Sequence, residues 1–170
     1  KERMEKTIRS INQMVKDDVI ADYAVGGAMA LVFYSEPAVT FDLDVFDFLT
    51  GQTSIILNLE KIYDYCRSRG HKIEKEHIIL GGIPVQFLPA YNLLVQEAVT
   101  QAVTKKVGKT PVRVVSLEHL MAIGLQTGRA KDLGRVMQLF EEKKYHVDKL
   151  EKILRQHGLL TAWRKIASKK

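Results

Sequence analysis

The sequence reads as an α/β (α+β) domain followed by a helical C-terminal segment, and three observations carry that reading. Residues 23–48 run as short apolar strand, Gly-Gly, apolar helix and β-rich strand. Two further runs of β-formers, 72–80 and 83–88, meet at Gly81-Gly82, a hairpin turn signal. From Ser116 onward the apolar residues recur at helical spacing. With 170 residues and 46% apolar content, the chain suffices for one domain with a real core. The expected division is 1–115 as the core and 116–170 as a helical segment packed on it in one compact unit.

The first element spans residues 3–20, where Met4, Ile8, Ile11, Met14 or Val15, and Val19 form the apolar stripe of a helix expected to cross the sheet. Tyr23 to Val25 is a strand, and Gly26-Gly27 follows at the point where it turns into the helix Ala28 to Tyr34, closed by Ser35-Glu36-Pro37. Bare backbone at such a turn lets an anion come close. Val39 to Phe48 is the next strand, and its β-formers surround Asp42 and Asp44. Residues two apart in a strand share a face, so both carboxylates project side by side and repel unless a cation lies between them. Hard oxygen donors in that number suit Mg²⁺ or Mn²⁺ completed by phosphate and water.

The glycine doublet followed by Thr40-Phe-Asp42-Leu-Asp44 resembles the signature of minimal nucleotidyltransferase-type proteins of the polymerase-beta-like superfamily, especially the AbiEii-like group of toxin-antitoxin and abortive-infection systems. That resemblance covers most of the chain in outline. It implies a mixed sheet flanked by helices, Gly26, Gly27 and Thr40 at the triphosphate of an NTP, and Asp42 and Asp44 as catalytic ligands of Mg²⁺ or Mn²⁺. Its implied reaction is transfer of a nucleoside monophosphate to a hydroxyl on RNA, a protein or a small molecule. A cognate toxin or antitoxin protein is the implied partner.

Thr53 or Ser54 can cap a helix over 55–69 with Ile56, Leu59, Ile62, Tyr63 and Cys66 on its buried side, ending at Gly70. Cys66 then belongs to the core and is not a nucleophile. Lys72 to Leu80 and Ile83 to Leu88 form the hairpin, and Pro89 closes it. Here relatives place a third carboxylate, whereas this chain has Val85-Gln86-Phe87. Gln86 offers only a neutral oxygen, which holds Mg²⁺ weakly and is no base near neutral pH. The chain therefore also reads as a nucleotide- or protein-binding module without turnover, or as an enzyme in which Glu74 or Glu76 substitutes.

Tyr91 to Ala102 is a helix by the spacing of Leu93, Leu94, Ala98 and Ala102, while Thr104 to Thr110 reads as a polar, Gly-containing connection before the extended Pro111 to Val115. Ser116 caps a helix over 117–126 that ends at Thr127-Gly128. Gly128-Arg129-Ala130-Lys131-Asp132 then opens a helix to about Lys143. This segment is similar to the Gly-Arg-x-Lys-Asp of the same family, which implies Lys131, with Arg129 second, at the nucleotide. A plain surface pairing of Lys131 with Asp132 is the alternative. Two short helices, 146–157 and 159–168, end the chain around Leu150, Ile153, Leu154, Leu160, Trp163 and Ile166.

The net charge of +6 shows in the tail, where nine Lys and Arg from Lys143 onward face only Asp148 and Glu151. Such a face attracts RNA or simply solvates the protein. The five histidines show no metal-ligand spacing. One cysteine excludes an intrachain disulfide and fits a reducing, cytoplasmic compartment. No apolar run approaches the roughly 18 residues that span a bilayer, so no membrane role is expected. The chain begins at Lys1, which leaves open a segment before it.

Overall fold

The computed structural model describes residues 2–35, 42–48 and 55–168. Thr40, the strand residues Val39 to Phe41, the break at Glu36-Pro37 and the candidate caps Thr53 and Ser54 lie outside the described residues, as does the side chain of Ile56. The chain divides into two compact units, Lys1–Val115 and Ser116–Lys170.

In the first unit, helix α1 (Glu2–Lys16) buries Thr7, Ile8, Ile11 and Met14. Burying side chains of this size is worth roughly 1.5–3 kcal/mol each. The apolar pattern predicted a helix to residue 20, but the chain leaves it at Lys16, where Asp18 takes a left-handed φ of 56°. Val19 and Ile20 are buried all the same, as the lead into the first strand. Periodicity reports burial, and here burial continues after the helix ends.

Strand β1 (Asp22–Gly26) runs into a single α turn, α2 (Gly27–Ala30), and a 3₁₀ turn over Leu31–Phe33, in place of the one helix expected over 28–34. After β2 (Leu43–Phe48) comes α3 (Ile55–Ser68), whose inner seam is Asn58, Ile62 and Cys66. The single strand expected over 72–80 is two strands, β3 (Lys72–Glu74) and β4 (His77–Leu80), because Lys75 adopts φ 56° and turns the chain. Strand β5 (Ile83–Pro89) follows the Gly81-Gly82 turn, and α4 (Leu93–Thr100) is capped by the Asn92 side chain, which accepts from Val95 N at 2.9 Å. The segment read as a polar connection is strand β6 (Val103–Val107), paired antiparallel with β7 (Thr110–Val114). It is an edge strand, so Lys105 and Lys106 are tolerated there and discourage pairing with another chain.

These strands form one seven-stranded mixed sheet in the order β3-β4-β5-β2-β1-β7-β6. The pairs β2/β5 and β1/β7 are parallel and the other four antiparallel. Helix α1 lies against β4, β5, β6 and β7, while α4 packs on β1 and β2. Polar contacts pin α1 in register: Thr7 Oγ1 donates to Leu80 O at 2.6 Å and Tyr23 Oη to Asn12 Oδ1 at 2.6 Å. Strands β1 and β2 are thus central and buried along both faces, with Ala24, Val25, Leu43 and Val45 fully inaccessible. A strand buried on both sides has no freedom to shift, and the side chains at its ends inherit that rigidity.

The second unit is helical. Helix α5 (Leu117–Thr127) is its core, buried almost throughout, and α6 (Ala130–Glu142) and α7 (Val147–Gln156) pack on it, with α8 (Leu160–Ala167) on α7. Ser116 caps α5, its hydroxyl accepting from His119 N at 3.1 Å, and Gly128 ends the helix in the left-handed conformation at φ 66°. Glu118 ties α5 to α7, accepting from His146 N at 3.0 Å and pairing with Lys149 at 3.3 Å. Trp163 meets Phe140 and Tyr145 edge to face, its ring centre 5.2 Å and 5.8 Å from theirs, while Phe140 and Tyr145 stack on each other. No helix among the described residues is long and apolar enough to cross a membrane.

Candidate active site

The end of β1 and the start of β2 lie side by side at the centre of the sheet, Gly26 directly opposite Asp44. Paired residues share a face, so the carboxylate of Asp44 projects over the turn that leads into α2. The glycine doublet is explained by what stands there. A β-carbon on Gly26 would fall 2.9 Å from Phe46 Cδ2, and one on Gly27 would fall into the Asp44 carboxylate, 3.2 Å from its Cγ. Gly27 also has φ 59°, a conformation that side chains disfavour. The two glycines therefore do separate jobs: Gly26 admits the Phe46 ring, and Gly27 leaves the space into which Asp44 folds.

Asp42 stands exposed just before β2, and its Oδ2 lies 3.6 Å from His77 Nε2 on β4. On the other side of β2, Asp44 pairs in parallel register with Gln86 of β5. Gly26, Asp44 and Gln86 thus form a row across three adjacent strands, with Gly27 against the Asp44 carboxylate. Glu74, considered above as a replacement for the third acid, sits on the outer strand β3 with its carboxylate on Lys72 Nζ at 2.8 Å, which holds it below the usual range. Glu76 is exposed in the β3-β4 turn.

Among the described residues no three His, Cys, Asp or Glu side chains are gathered as a ready cation cage. The donor set still fits Mg²⁺ or Mn²⁺, which takes one or two carboxylates and fills its remaining positions with phosphate and water.

In the second unit Lys131 is exposed on the first turn of α6. The surface pairing of Lys131 with Asp132 is not what forms. Asp132 is buried and accepts instead from Thr127 Oγ1 at 2.8 Å, Arg129 Nε at 2.7 Å and Arg135 Nη1 at 3.2 Å. Burial alone would raise its carboxyl; the Thr127 hydroxyl and the two guanidiniums outweigh that and hold it below the ordinary value. Asp132 thereby fixes Arg129, whose side chain is 75% exposed, in place at the start of α6.

Cys66 and the histidines complete the inventory. Cys66 is 1% exposed and burial pushes its thiol up to about 11, so it is inert core. His119 is fully buried, its Nδ1 2.7 Å from the Ser116 hydroxyl. His77 stands beside Asp42, a neighbour that spacing along the chain did not give it.

Comparison with family models and with curated proteins gives no match. Comparison with solved structures gives the fold. A nucleotidyltransferase-like antigenic protein of Paracoccidioides brasiliensis matches over 98% of this chain and 91% of its own, with TM-score 0.57 and 13% identity. The antibiotic-resistance factor ANT(2″)-Ia in solution matches over 95% of each chain at TM-score 0.54 and 13% identity. Its crystal structure with adenylyl-2″-tobramycin matches over 88% of this chain and 94% of that one, at TM-score 0.54 and 14% identity. These likenesses show that the chain has the nucleotidyltransferase fold.

Proposed function

We propose that this chain is a nucleotidyltransferase that uses Mg²⁺ or Mn²⁺ to move a nucleoside monophosphate from an NTP to a hydroxyl acceptor. The observation that carries the reading is the Asp44 carboxylate held over Gly27 and opposite Gly26, at the centre of a sheet with this fold. Asp42 and Asp44 would hold the cation, which when bound neutralises phosphate charge and polarises the phosphorus under attack. Gly26 and Gly27 present bare backbone to the triphosphate, and Thr40 joins them on the motif alone. Lys131 and Arg129 are assigned to the triphosphate from their sequence motif, Lys131 as a point charge and Arg129 as a guanidinium oriented by Asp132.

Within this reading, the glycine and aspartate motif together with Gly128-Arg-Ala-Lys-Asp favours the AbiEii-like group and so a cognate toxin or antitoxin protein as partner. RNA is the acceptor that charge favours. The whole net charge of +6 falls in residues 116–170, which hold twelve Lys and Arg against six Asp and Glu, while residues 1–115 balance at fourteen of each. A reducing, cytoplasmic setting belongs to the same proposal.

Gln86 favours the second reading, a module that binds nucleotide without turnover, because its amide stands beside Asp44 where relatives carry an acid. Incubation with α-³²P-labelled NTPs, Mg²⁺ or Mn²⁺, and RNA, protein or aminoglycoside acceptors separates the two. Enzyme activity gives a labelled acceptor, lost by about a hundredfold or more in Asp42→Asn and in Asp44→Asn. Nucleotide retained without labelled product supports the module. No nucleotide-dependent thermal shift at all sinks both.

A further inference from the structure

Helix α1 has a second face. Opposite its buried residues Thr7, Ile8, Ile11 and Met14, the side chains of Arg9, Asn12, Gln13 and Lys16 recur at helical spacing. They form one wall of a groove of about 660 Å³ whose other wall is the β6-β7 hairpin. Asn12 ties the walls to the floor, its Nδ2 donating to Pro111 O at 2.9 Å and its Oδ1 accepting from Tyr23 Oη at 2.6 Å. Tyr23 stands three residues along β1 from Gly26, the partner of Asp44, so the groove opens on the face of the sheet away from the Asp44 carboxylate.

Four cations and one acid line the groove. The acid, Asp22, is held by Arg113, whose Nε lies 3.0 Å from its Oδ1, and the same guanidinium donates to Val99 O at 2.7 Å. That pair is closed on itself. Arg9, Lys16 and Lys109 are exposed, and among the described residues no salt bridge neutralises them. Neighbouring acids are engaged elsewhere: Glu5 accepts from the Thr110 hydroxyl at 2.9 Å and from Lys109 N at 3.3 Å, and Asp17 is held by Tyr65 Oη at 2.5 Å and Arg69 at 2.9 Å. Three positive charges therefore stand on the rim of this groove, in a unit whose formal charge is zero.

The floor decides which polyanion fits. Tyr23 is 2% exposed and Val112 1%, so the floor is a carbon surface with no aromatic face open for a base to stack on. From Arg9 to Lys16 the helix advances roughly 10 Å, the length of about three extended residues. We infer that the groove is the docking site for an extended acidic segment of a partner protein. Its carboxylates meet Arg9, Lys16 and Lys109 on the rim, and its alternate, apolar side chains lie on the floor. The inference stands on the groove alone and does not depend on nucleotide transfer.

The test uses the whole chain and a short fluorescein-labelled peptide that alternates Asp or Glu with Val or Leu, beside the same peptide carrying Asn and Gln, one carrying Lys, and an oligouridylate. Fluorescence anisotropy measures affinity, and amide shifts in ¹⁵N-labelled protein locate the site. The acidic peptide should bind, move the amides of residues 9–16 and 104–113, and weaken by about tenfold or more when Arg9→Gln, Lys16→Gln and Lys109→Gln are combined. Reversal of the same three residues to Glu should transfer binding to the Lys peptide, with circular dichroism confirming that both variants are folded. Equal binding of the neutral peptide, or shifts confined to other residues, overturns the inference. Tighter binding of oligouridylate in the groove overturns it in favour of RNA, and no binding by any probe at about 1 mM also overturns it. None of these outcomes bears on nucleotide binding at Asp44, so the two readings fail separately.

Discussion

Asp47 should make the first unit less stable as pH rises from about 4 to about 7, and Asp47→Asn should abolish that dependence. The residue lies on β2 opposite Tyr23, on the face covered by α1, and is wholly inaccessible. Among the described residues no donor reaches either carboxylate oxygen, and burial pushes its pKa up to about 7. In the unfolded chain the group titrates near 3.9. Between those values the folded state holds a proton that the unfolded state has lost, so stability falls with rising pH, by about 1.4 kcal/mol per pH step and about 4 kcal/mol in all. The contribution is complete below about pH 4 and gone above about pH 7. Asparagine cannot ionise, although its own unpaired amide costs about 1–3 kcal/mol at every pH. The diagnostic is therefore the change in the gap between variant and wild type, about 3 kcal/mol in favour of the variant between pH 5 and pH 8. Urea denaturation followed by circular dichroism measures it; Trp163 fluorescence would report on the second unit. Curves that stay parallel, with the gap changing by less than about 0.5 kcal/mol, would refute the account of an unpartnered buried carboxylate.

Gly27→Ala should cost about 1–2 kcal/mol through its left-handed backbone and should push Asp44 aside. Its mark is a loss of Mn²⁺ or nucleotide binding, measured by calorimetry, larger than the accompanying loss of stability measured by denaturation. Native Cys66 should resist Ellman's reagent near neutral pH and react promptly once urea unfolds the chain, because the thiol is both inaccessible and raised to about 11. Prompt reaction of the folded protein would contradict its placement in the core.

The elements that could be read along the chain are those whose signals are local. Ser116 and Gly128 bracket α5 by hydrogen-bonding and backbone chemistry that act within a few residues, and the structure puts both caps where those residues stand. The Gly81-Gly82 turn is equally local, whereas the strand expected to carry both Asp42 and Asp44 begins, among the described residues, only at Leu43. The failures share a cause. Val19 and Ile20 extend an apolar stripe that belongs partly to a loop, and Lys105 and Lys106 make an edge strand look like a polar connection, because exposure at a sheet edge is a property of strand order. Asn58 faces inward from α3 with its amide unpaired, which no periodicity reveals.

The site divides in the same way. Residue type and spacing alone singled out the glycine doublet and the two aspartates, since a turn and the run of β-formers beside it are made by neighbours in the chain. Which side chain stands next to them was decided by the sheet. The order β5-β2-β1 lays Gln86, Asp44 and Gly26 in one line from segments up to sixty residues apart, and the position of Asp47 in the interior follows from the helix laid across the opposite face. Strand order and helix placement are long-range choices, governed by which buried faces fit together, so they surface only once the whole chain has packed.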